Sequence, residues 1–473
     1  MTQAGAENAG ADNAATYGMS ETMAFEDALA AWLVRQRWFA GKGRGLRDLA
    51  IVADSEVVTG DPELRHLIIA VSHGTSVDYY QVLVGLRRRL PARLRHVRIG
   101  PSGDGRQAYD ALHDSDLTRP LLAAIAADRS IGSLHLRSVP GTSVVTGLDS
   151  LVISAEQSNT SLVFGDESIL KVFRRVSPGP NPDLEVTTAL ARLGSPHVAE
   201  PLGWIETRLE GVTTSLAILS RFLRLASDGW LLAATSVRDL YATEGATEGT
   251  AVRAAEAGGD FAGEAHRLGV ATAQVHADMA AVFGTDELGP DAIGELSERM
   301  YRNLDIARAA VPELGRYAEM IGAAYAALTK LQGPFPVQRV HGDYHLGQVL
   351  RTETGWVVLD FEGEPATPLV QRRARSSPLR DVAGMLRSFD YAARHQLIGH
   401  PEQAALNAVA RDWVRRNADA FCAGYAEAGG LDPVANDVLL RALQLDKAVY
   451  EVLYEARHRP SWLPIPLDSL AEF

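Results

Sequence analysis

The sequence has almost no cysteine, since Cys422 is the single one among 473 residues. A single cysteine cannot form a disulfide within the chain, and no cluster of cysteine and histidine has the spacing of a structural zinc site. Runs of about 18 apolar residues, which would predict a transmembrane helix, are also missing. The first residues, MTQAGAENAGADNAATYGM, have neither the basic nor the apolar segment of a secretion signal. We therefore expect a cytoplasmic protein in a reducing compartment.

The chain also lacks an excess of positive charge. Lys and Arg total 46 against 59 Asp and Glu, which gives a net charge of −13. This balance disfavours general binding to nucleic acid or to an anionic membrane. With 46% hydrophobic and 22% charged residues, the composition is that of a folded globular protein. The length exceeds that of one compact core, so we expect two or three folded parts with room for a cleft.

Patterns along the chain divide it into four parts. Residues 1–23 are rich in Ala, Gly and Asn without periodic apolar positions, which predicts a mobile tail. Residues 24–140 combine helical patterns with short strand patterns, and 141–225 is rich in strands. Residues 226–473 carry long helical patterns, interrupted by a polar stretch at 241–260 that predicts a loop. The predicted fold class is α+β, with a β-rich lobe followed by a helical lobe.

Two neighbouring stretches carry the strongest chemical signal: RVHGDYHLGQVL (339–350) and WVVLDFE (356–362). Phosphoryl transfer from ATP to an alcohol requires a carboxylate beside the hydroxyl proton and oxygen ligands for magnesium on both sides of the triphosphate. In protein kinases the catalytic Asp precedes a metal-binding Asn by five positions, and Asp343 precedes Gln348 by the same five. An apolar strand pattern then leads to Asp360. The sequence predicts Asp343 as the acid–base residue and Gln348 with Asp360 as Mg²⁺ ligands.

Two histidines lie within this motif, and a predicted helix begins after it. An isolated His-Gly-Asp is a weak signal, because Asp can cap a turn and His can satisfy a buried carbonyl. The correctly spaced amide and the following strand favour the catalytic interpretation. For His341 and His345 we favour a role in holding the loop over proton transfer. For Asp381, at the start of a predicted helix, we favour a structural role as a capping carboxylate that supports the site.

A kinase also needs a cation for the nucleotide phosphates. Lys171 lies inside the strand pattern ILKVF, where an unpaired charge would be costly, so a partner is expected. Glu185 follows on a predicted helix and is a candidate for the Lys–Glu pair of the kinase fold. The alternatives are a strand-end lysine that faces water and a solvated helix glutamate.

A polar turn upstream, which contains Ser158, Asn159 and Thr160, is where a loop over the phosphates should lie. It lacks the Gly-x-Gly-x-x-Gly pattern, so backbone groups and these three side chains would have to bind the phosphates of ATP. A plain hairpin turn is the alternative.

The C-terminal region offers a candidate acceptor site. A sugar presents hydroxyls and apolar ring faces, which carboxylates, Arg and aromatic rings recognise together. That mixture is present in Glu451, Tyr454, Glu455, Arg459 and Trp462. Glu451 and Glu455 are one helical turn apart and share a face. The alternative is a solvated helix face with Trp462 packed against the chain end.

Several stretches together resemble the aminoglycoside-phosphotransferase-like kinases and, more closely, the actinobacterial maltokinases. Besides the central motif, they are QRWFAGK (36–42), EQSNTS (156–161), LKVFRRVS (170–177), NPDLE (181–185), GDFAGE (259–264) and LDKAVYE (445–451), with the likeness continuing to Pro466. The likeness therefore spans nearly the whole chain after the tail. The stretch at 36–42 resembles part of an N-terminal cap domain that ordinary aminoglycoside kinases lack.

The resemblance implies a two-lobed protein-kinase-like fold with an N-terminal α+β cap (24–140), a nucleotide-binding lobe (141–225) and a catalytic and acceptor lobe (226–473). It implies phosphorylation of maltose at the anomeric C1 hydroxyl to maltose 1-phosphate, with ATP and Mg²⁺. It also implies a role for the product in α-glucan synthesis and a trehalose-isomerising enzyme as a partner. The family's functional residues correspond to Asp343, Gln348, Asp360, Lys171 and Glu185.

Three points stay open at the level of sequence. Related capped kinases act on glucosamine, so glucosamine, or another sugar or aminoglycoside, is an alternative acceptor. Arg221 lies in the strand-to-hinge segment where an acidic residue is expected, so nucleotide preference is not fixed. A catalytically silent kinase-like scaffold is the second alternative, although such a protein has no need of the full set of kinase residues.

Overall fold

The structure, a computed structural model, describes residues 25–41, 48–73, 76–153, 158–243, 259–331, 333–364 and 367–473. The predicted tail and most of the predicted loop at 241–260 lie outside these residues. Two compact units are present. The first unit extends to Glu185 and includes Glu200–Arg224, and the second consists of Val186–Ala199 and the chain from Leu225 onward.

The first unit begins with a helix, α1 (25–33), and an antiparallel sheet. The strands of this sheet are β1 (Asp48–Val58), β2 (Glu63–His73), β3 (Ser76–Arg87), β4 (Arg98–Pro101) and β5 (Gln107–Asp110), in the order β1-β2-β3-β5-β4. Apolar side chains of α1 pack with those of β2 and β3, among them Leu29, Trp32 and Leu33. The strand β1 was not predicted, because its residues alternate between exposed and half-buried and give only a weak apolar pattern.

A second sheet of the first unit has seven strands. After α2 (Ser115–Ala126) they are β6 (Ser130–Ile131), β7 (Leu134–Ser138), β8 (Ser150–Ile153), β9 (Thr160–Phe164), β10 (Ser168–Val172), β12 (Pro201–Leu209) and β13 (Val212–Arg221). Their order is β6-β7-β12-β13-β10-β9-β8. The first two strands precede residue 140, so the expected boundary there falls after two strands of this sheet. Sequence patterns do not reveal that β7 pairs with β12, some 65 residues later.

Arg174 connects the two sheets of the first unit. It precedes β11 (Arg175–Val176), a short strand that pairs with β3. The side chain is 1% exposed, donates to Asp110 and to Thr160 Oγ1 at 2.8 Å, and lies over the Trp38 ring at 4.9 Å. A buried guanidinium needs a partner of opposite charge, which Asp110 provides. These contacts therefore join residues of both sheets into one unit.

A buried histidine lies close to this junction. His66 on β2 shares a 3.0 Å hydrogen bond with Gln81 Oε1, and Gln81 donates to the carbonyls of Phe173 and Leu216. Burial lowers the pKa of His66 to about 4, although the hydrogen bond with Gln81 acts in the opposite direction. The imidazole is therefore neutral at physiological pH.

Helices make up most of the second unit, as expected from the sequence. They are α3 (Pro182–Leu193, which begins in the first unit), α4 (Gly229–Tyr241), α5 (Ala262–Phe283), α6 (Pro290–Ala310), α7 (Ala318–Leu328), α8 (Leu369–Arg372), α9 (Leu379–Arg394), α10 (Gln403–Glu427), α11 (Asp437–His458) and α12 (Pro464–Leu470). Before α7 lies a 3₁₀ turn, Pro312–Tyr317. Among the described residues, none of the helices is long and apolar enough to span a bilayer.

The short strands of the second unit form two small sheets. One contains β14 (Ser227–Asp228), β17 (Val349–Arg351) and β18 (Trp356–Val358), and the other contains β15 (Thr285–Leu288) and β16 (Phe335–Gln338). Helix α9 lies in the middle of the unit, where its residues from Asp381 to Arg394 are all buried. The expected α+β class, with a β-rich part followed by a helical part, is confirmed.

The buried state of His66 predicts a pH dependence of stability. In the unfolded chain His66 binds a proton below about pH 6.5, whereas in the folded chain it does so only near pH 4. The free energy of unfolding should therefore fall as the pH is lowered, by roughly 1.5 kcal/mol between pH 6.5 and 5. Urea denaturation of wild type and His66→Gln should show this slope in the wild type and its loss in the variant. The exposed His96→Gln is the control, and an unchanged slope in His66→Gln would refute the assignment.

Candidate active site

The strand pair β17–β18 brings the two predicted metal ligands together. Gln348 is the last residue of the 3₁₀ turn Leu346–Gln348, directly before β17. Asp360 lies just after β18, from which it is separated by Leu359. The N–H of Leu359 donates to the carbonyl of Gln348 at 2.8 Å, and Gln348 Nε2 donates to Asp360 Oδ2 at 3.1 Å. Because the amide nitrogen makes this bond, the amide oxygen is the atom available to a metal.

These two side chains suit magnesium. Mg²⁺ prefers oxygen ligands and is usually held in proteins by one or two carboxylates together with phosphate oxygens and water. The backbone of Asp360 has φ of +63°, in the left-handed region that costs an L-residue roughly 1–2 kcal/mol. Strain of this kind concentrates at functional sites, where the surrounding structure holds it in place. Gln348 and Asp360 therefore fit the predicted role.

His341 supports the loop through both of its ring nitrogens. It is 3% exposed, its Nε2 lies 2.8 Å from the Leu359 carbonyl, and its Nδ1 accepts from the N–H of Asp343 at 3.3 Å. The ring also contacts Phe361, with 5.1 Å between ring centroids. A bond to the carbonyl requires the proton to be on Nε2, which leaves Nδ1 free to accept. The imidazole therefore bonds to the segment before the β17–β18 hairpin and to the segment after it.

Asp381 supports the loop, as we expected, but it does so through direct hydrogen bonds and not as a helix cap. It lies on α9 with 1% exposure, and its carboxylate accepts from the N–H groups of His341 at 2.7 Å and Gly342 at 2.9 Å. His276 Nε2 lies 3.0 Å from the same carboxylate. Burial raises the pKa of Asp381, but the hydrogen bonds and charge of His276 and the loop amides outweigh burial and lower the pKa. The carboxylate is thus satisfied by the catalytic loop and not by its own helix.

Two glycines allow this arrangement. Gly342 has φ of +85°, which a residue with a side chain rarely adopts. Gly384 lets α9 approach the loop, because a Cβ there would lie 2.6 Å from the carbonyl oxygen of Tyr344. The loop conformation therefore depends on both glycines.

The carboxylate of Asp343 lies next to Lys447, which in turn contacts Glu364, and the sequence reasoning missed both residues. Lys447 Nζ on α11 lies 3.5 Å from Asp343 Oδ1 and 2.7 Å from Glu364 Oε1. The side chain of Asp343 is 25% exposed, so it is accessible to solvent. Lys447 belongs to the LDKAVYE stretch, which contributed to the family resemblance but carried no assigned role.

His345 has a local structural role. Its ring Nδ1 accepts from the N–H of Gly347 at 3.1 Å, and this bond caps the 3₁₀ turn that ends at Gln348. Burial lowers the pKa of His345, and the charge of Asp343 opposes this effect. His345 therefore stabilises the turn that presents Gln348.

In the first unit, Lys171 on β10 has a partner that the sequence reasoning did not identify. Its Nζ lies 2.9 Å from Asp183 Oδ2, and both side chains are largely buried. Asp183 stands in the first turn of α3, where its N–H donates to Asn181 Oδ1 at 2.8 Å. Glu185 stands in the same turn, and its pairing with Lys171 stays a prediction. The signal for Asp183 was available in NPDLE, where Asn caps a helix that begins with an acidic residue.

The residues predicted to cover the phosphates lie at the start of β9. Asn159 Nδ2 lies 3.3 Å from Ser158 Oγ, and Thr160 Oγ1 accepts from the buried Arg174. The hydroxyl of Thr160 thus already fixes the strand. A role for these three residues in ATP binding stays a prediction, and residues 154–157 of the same turn lie outside the described part of the chain.

The two predicted acceptor carboxylates on α11 share a face but are not solvated. Glu451 is 9% exposed, and its Oε2 accepts from Arg387 at 2.8 and 2.9 Å. Glu455 is 1% exposed and is held by Arg459 at 2.6 and 2.9 Å, with Tyr391 OH at 3.2 Å. Both carboxylates are therefore paired with guanidinium groups.

Aromatic rings surround Arg459. Its guanidinium lies 4.5 Å from the Trp462 ring and 5.4 Å from the Tyr454 ring. Tyr454 in turn stacks with Tyr450 at 6.1 Å between ring centroids. The five predicted acceptor residues therefore lie together in the second unit, on or just after α11, the helix that also carries Lys447.

Comparisons with known proteins show the family to which the chain belongs. Residues 151–415 match the model of the phosphotransferase enzyme family, and residues 32–114 match the maltokinase N-terminal cap domain. A glucosamine kinase of Streptacidiphilus jiangxiensis is 32% identical over 433 residues, which cover 88% of this chain and 93% of that protein. One of Mycolicibacterium smegmatis is 29% identical over 332 residues, covering 67% and 78% of the two chains.

A solved structure is also similar. It is a glucosamine kinase in complex with glucosamine, ADP and inorganic phosphate, at 27% identity with a TM-score of 0.65. The match covers 94% of this chain and 98% of that one. Together with the two family models, this match confirms the expected kinase-like fold with an N-terminal cap.

The contact between Lys171 and Asp183 can be tested by nucleotide binding. Asp183→Asn removes the charge that holds the ammonium. A hydrogen bond to a charged group contributes about 1.5 kcal/mol, so the Kd for ATP should rise about tenfold. Isothermal titration calorimetry measures this change. Glu185→Gln in the same helical turn is the comparison, and a greater loss in that variant would make Glu185 the main partner.

Proposed function

Because the chain belongs to the phosphotransferase enzyme family, we propose that it is an ATP-dependent sugar kinase that phosphorylates maltose at the anomeric C1 hydroxyl. The observation that carries the proposal is the arrangement of Asp343, Gln348 and Asp360. An accessible carboxylate, an amide and a second carboxylate stand in the order and spacing that phosphoryl transfer requires. The product would be maltose 1-phosphate.

Each residue has a distinct role in this proposal. Asp343 accepts or orients the proton of the acceptor hydroxyl, and Lys171 positions the nucleotide. Gln348 and Asp360 would hold Mg²⁺, which when bound supplies positive charge for the phosphates. His341 and Asp381 keep the loop in place, so the rate would come mainly from alignment and electrostatics.

Charge in the acceptor region supports a neutral sugar. Glu451 is paired with Arg387 and Glu455 with Arg459, so neither buried carboxylate offers an uncompensated negative charge. Maltose is uncharged, and its hydroxyls can bond to such paired groups. The aromatic rings of Tyr450, Tyr454 and Trp462 provide apolar surface for sugar rings. The match to the maltokinase cap domain points the same way.

Glucosamine is the second candidate, and the relatives favour it. The two curated relatives and the solved structure are named glucosamine kinase. Its protonated amine would require a carboxylate to release its arginine partner. The Arg459 side chain is 45% exposed, which makes it the easier of the two guanidiniums to displace.

An acceptor screen tests the proposed function directly. Release of ADP from ATP should occur with maltose and be weak with glucosamine, glucose and aminoglycosides. Asp343→Asn should lower kcat by about 10²-fold to 10⁴-fold, because it removes the proton acceptor. Asp305→Asn, an exposed carboxylate on α6 of the same unit, is the control. Faster ADP release with glucosamine than with maltose would make glucosamine the acceptor. No ADP release with any acceptor would favour the catalytically silent scaffold.

The metal-binding role predicts a second result. Asp360→Ala should abolish the part of ATP affinity that depends on magnesium, because it removes a carboxylate ligand. Calorimetry of ATP binding with Mg²⁺ and with EDTA measures the difference, and Asp305→Ala should behave as the wild type. Magnesium-dependent binding that persists in Asp360→Ala would refute the assignment.

A further inference from the structure

Lysine is rare in this protein. Only Lys42, Lys171, Lys330 and Lys447 occur among 473 residues. Lys330 is exposed at the end of α7, whereas the side chain of Lys447 is 25% exposed and lies at the active site. The position of Lys447 beside the proposed base is therefore distinctive.

The ammonium of Lys447 contacts both segments that carry the chemistry. Its Nζ is 3.5 Å from Oδ1 of Asp343 in the catalytic loop and 2.7 Å from Oε1 of Glu364, four residues after Asp360. The ring of Tyr450, one turn later on α11, lies 4.9 Å from the same nitrogen. These contacts fix the lysine from three sides and place one positive charge between two carboxylates.

The other charged and titratable groups around Asp343 do not provide this charge. The groups that interact electrostatically with Asp343 are His345, Tyr450 and Lys447. His345 uses Nδ1 as an acceptor, which is the neutral form of the ring, and Tyr450 is a neutral phenol. Arg380 also lies near Glu364, with 4.0 Å between its Nη2 and Oε2 of that residue. Lys447 is the cation among the three described groups that interact with Asp343.

We propose that Lys447 is a positioning residue for Asp343, which it holds in one orientation while linking the loop that carries Asp343 to Glu364. The proposal rests on the proposed function, since it assigns a role relative to the base of that reaction. A fixed orientation of the carboxylate contributes to the rate because the proton acceptor must lie within hydrogen-bond reach of the hydroxyl. The alternative is a purely structural role, in which Lys447 stabilises the packing of α11 against the segment that carries Glu364.

The kinetic test uses Lys447→Met and Lys447→Arg, with exposed Lys330→Met as the matched control. In Lys447→Met, kcat should fall about 10-fold to 100-fold, the size typical of an aligned ionic contact at a reacting group. The KM for ATP should change less than about twofold. Lys447→Arg, which keeps the positive charge, should restore most of the lost kcat. A kcat in Lys447→Met that matches the wild type, or a KM for ATP that rises as much as kcat falls, overturns the proposal.

A second measurement does not depend on activity. Urea denaturation of Lys447→Met, Asp343→Asn and the double variant forms a double-mutant cycle. The loss of stability in the double variant should be smaller than the sum of the single losses, because both substitutions remove the same contact. Additive losses overturn the contact and the proposal with it. If the wild type phosphorylates no acceptor, the proposed function fails, and this cycle alone decides whether Lys447 and Asp343 are coupled.

Discussion

The buried carboxylate of Asp381 is the interaction on which the active-site loop depends. Removing an ionised group from water costs several kcal/mol unless its oxygens are bonded, and the loop amides of His341 and Gly342 provide those bonds together with His276. His276 is itself bonded to Tyr425 on α10. Any movement of the loop would leave a buried charge unsatisfied. The loop is therefore part of the core of the second unit, which gives Asp343 a fixed backbone.

Those parts of the site that are close in sequence could be predicted. The spacing from Asp343 to Gln348, and the strand that leads to Asp360, are local features of one hairpin, so the pattern contained them. The partners that hold this motif come from far along the chain: Asp381 is 40 residues after His341, and the helix with Lys447 is more distant still. A single sequence shows the residues but not these pairings, so Asp381 was interpreted as a helix cap and Lys447 had no role.

At the proposed acceptor region, helical periodicity predicted which residues share a helix face but not what that face contacts. The spacing of Glu451 and Glu455 placed both on one face of α11, but it did not indicate that the face is buried. Arg387 and Tyr391, which are each 64 residues away, bond to these two carboxylates. The β-sheets show the limit as well, since β6 and β7 belong with strands that follow residue 150. In both cases the structure depends on contacts between residues that are far apart in the sequence, and local patterns do not reveal such contacts.

The choice of cation differs between the two parts of the second unit for a physical reason. Arginine pairs with Glu451 and Glu455, where its planar fork donates two hydrogen bonds to each buried carboxylate: to one oxygen of Glu451 and to both oxygens of Glu455. In the proposed reaction an acceptor hydroxyl has to reach the carboxylate of Asp343, and a guanidinium bound to both of its oxygens would block that approach. A lysine is a compact point charge that approaches one oxygen and bonds more closely to a neighbour. The two distances fit this description. Lys447 Nζ lies 2.7 Å from Glu364, which takes the close contact, and 3.5 Å from Asp343, whose carboxylate stays accessible.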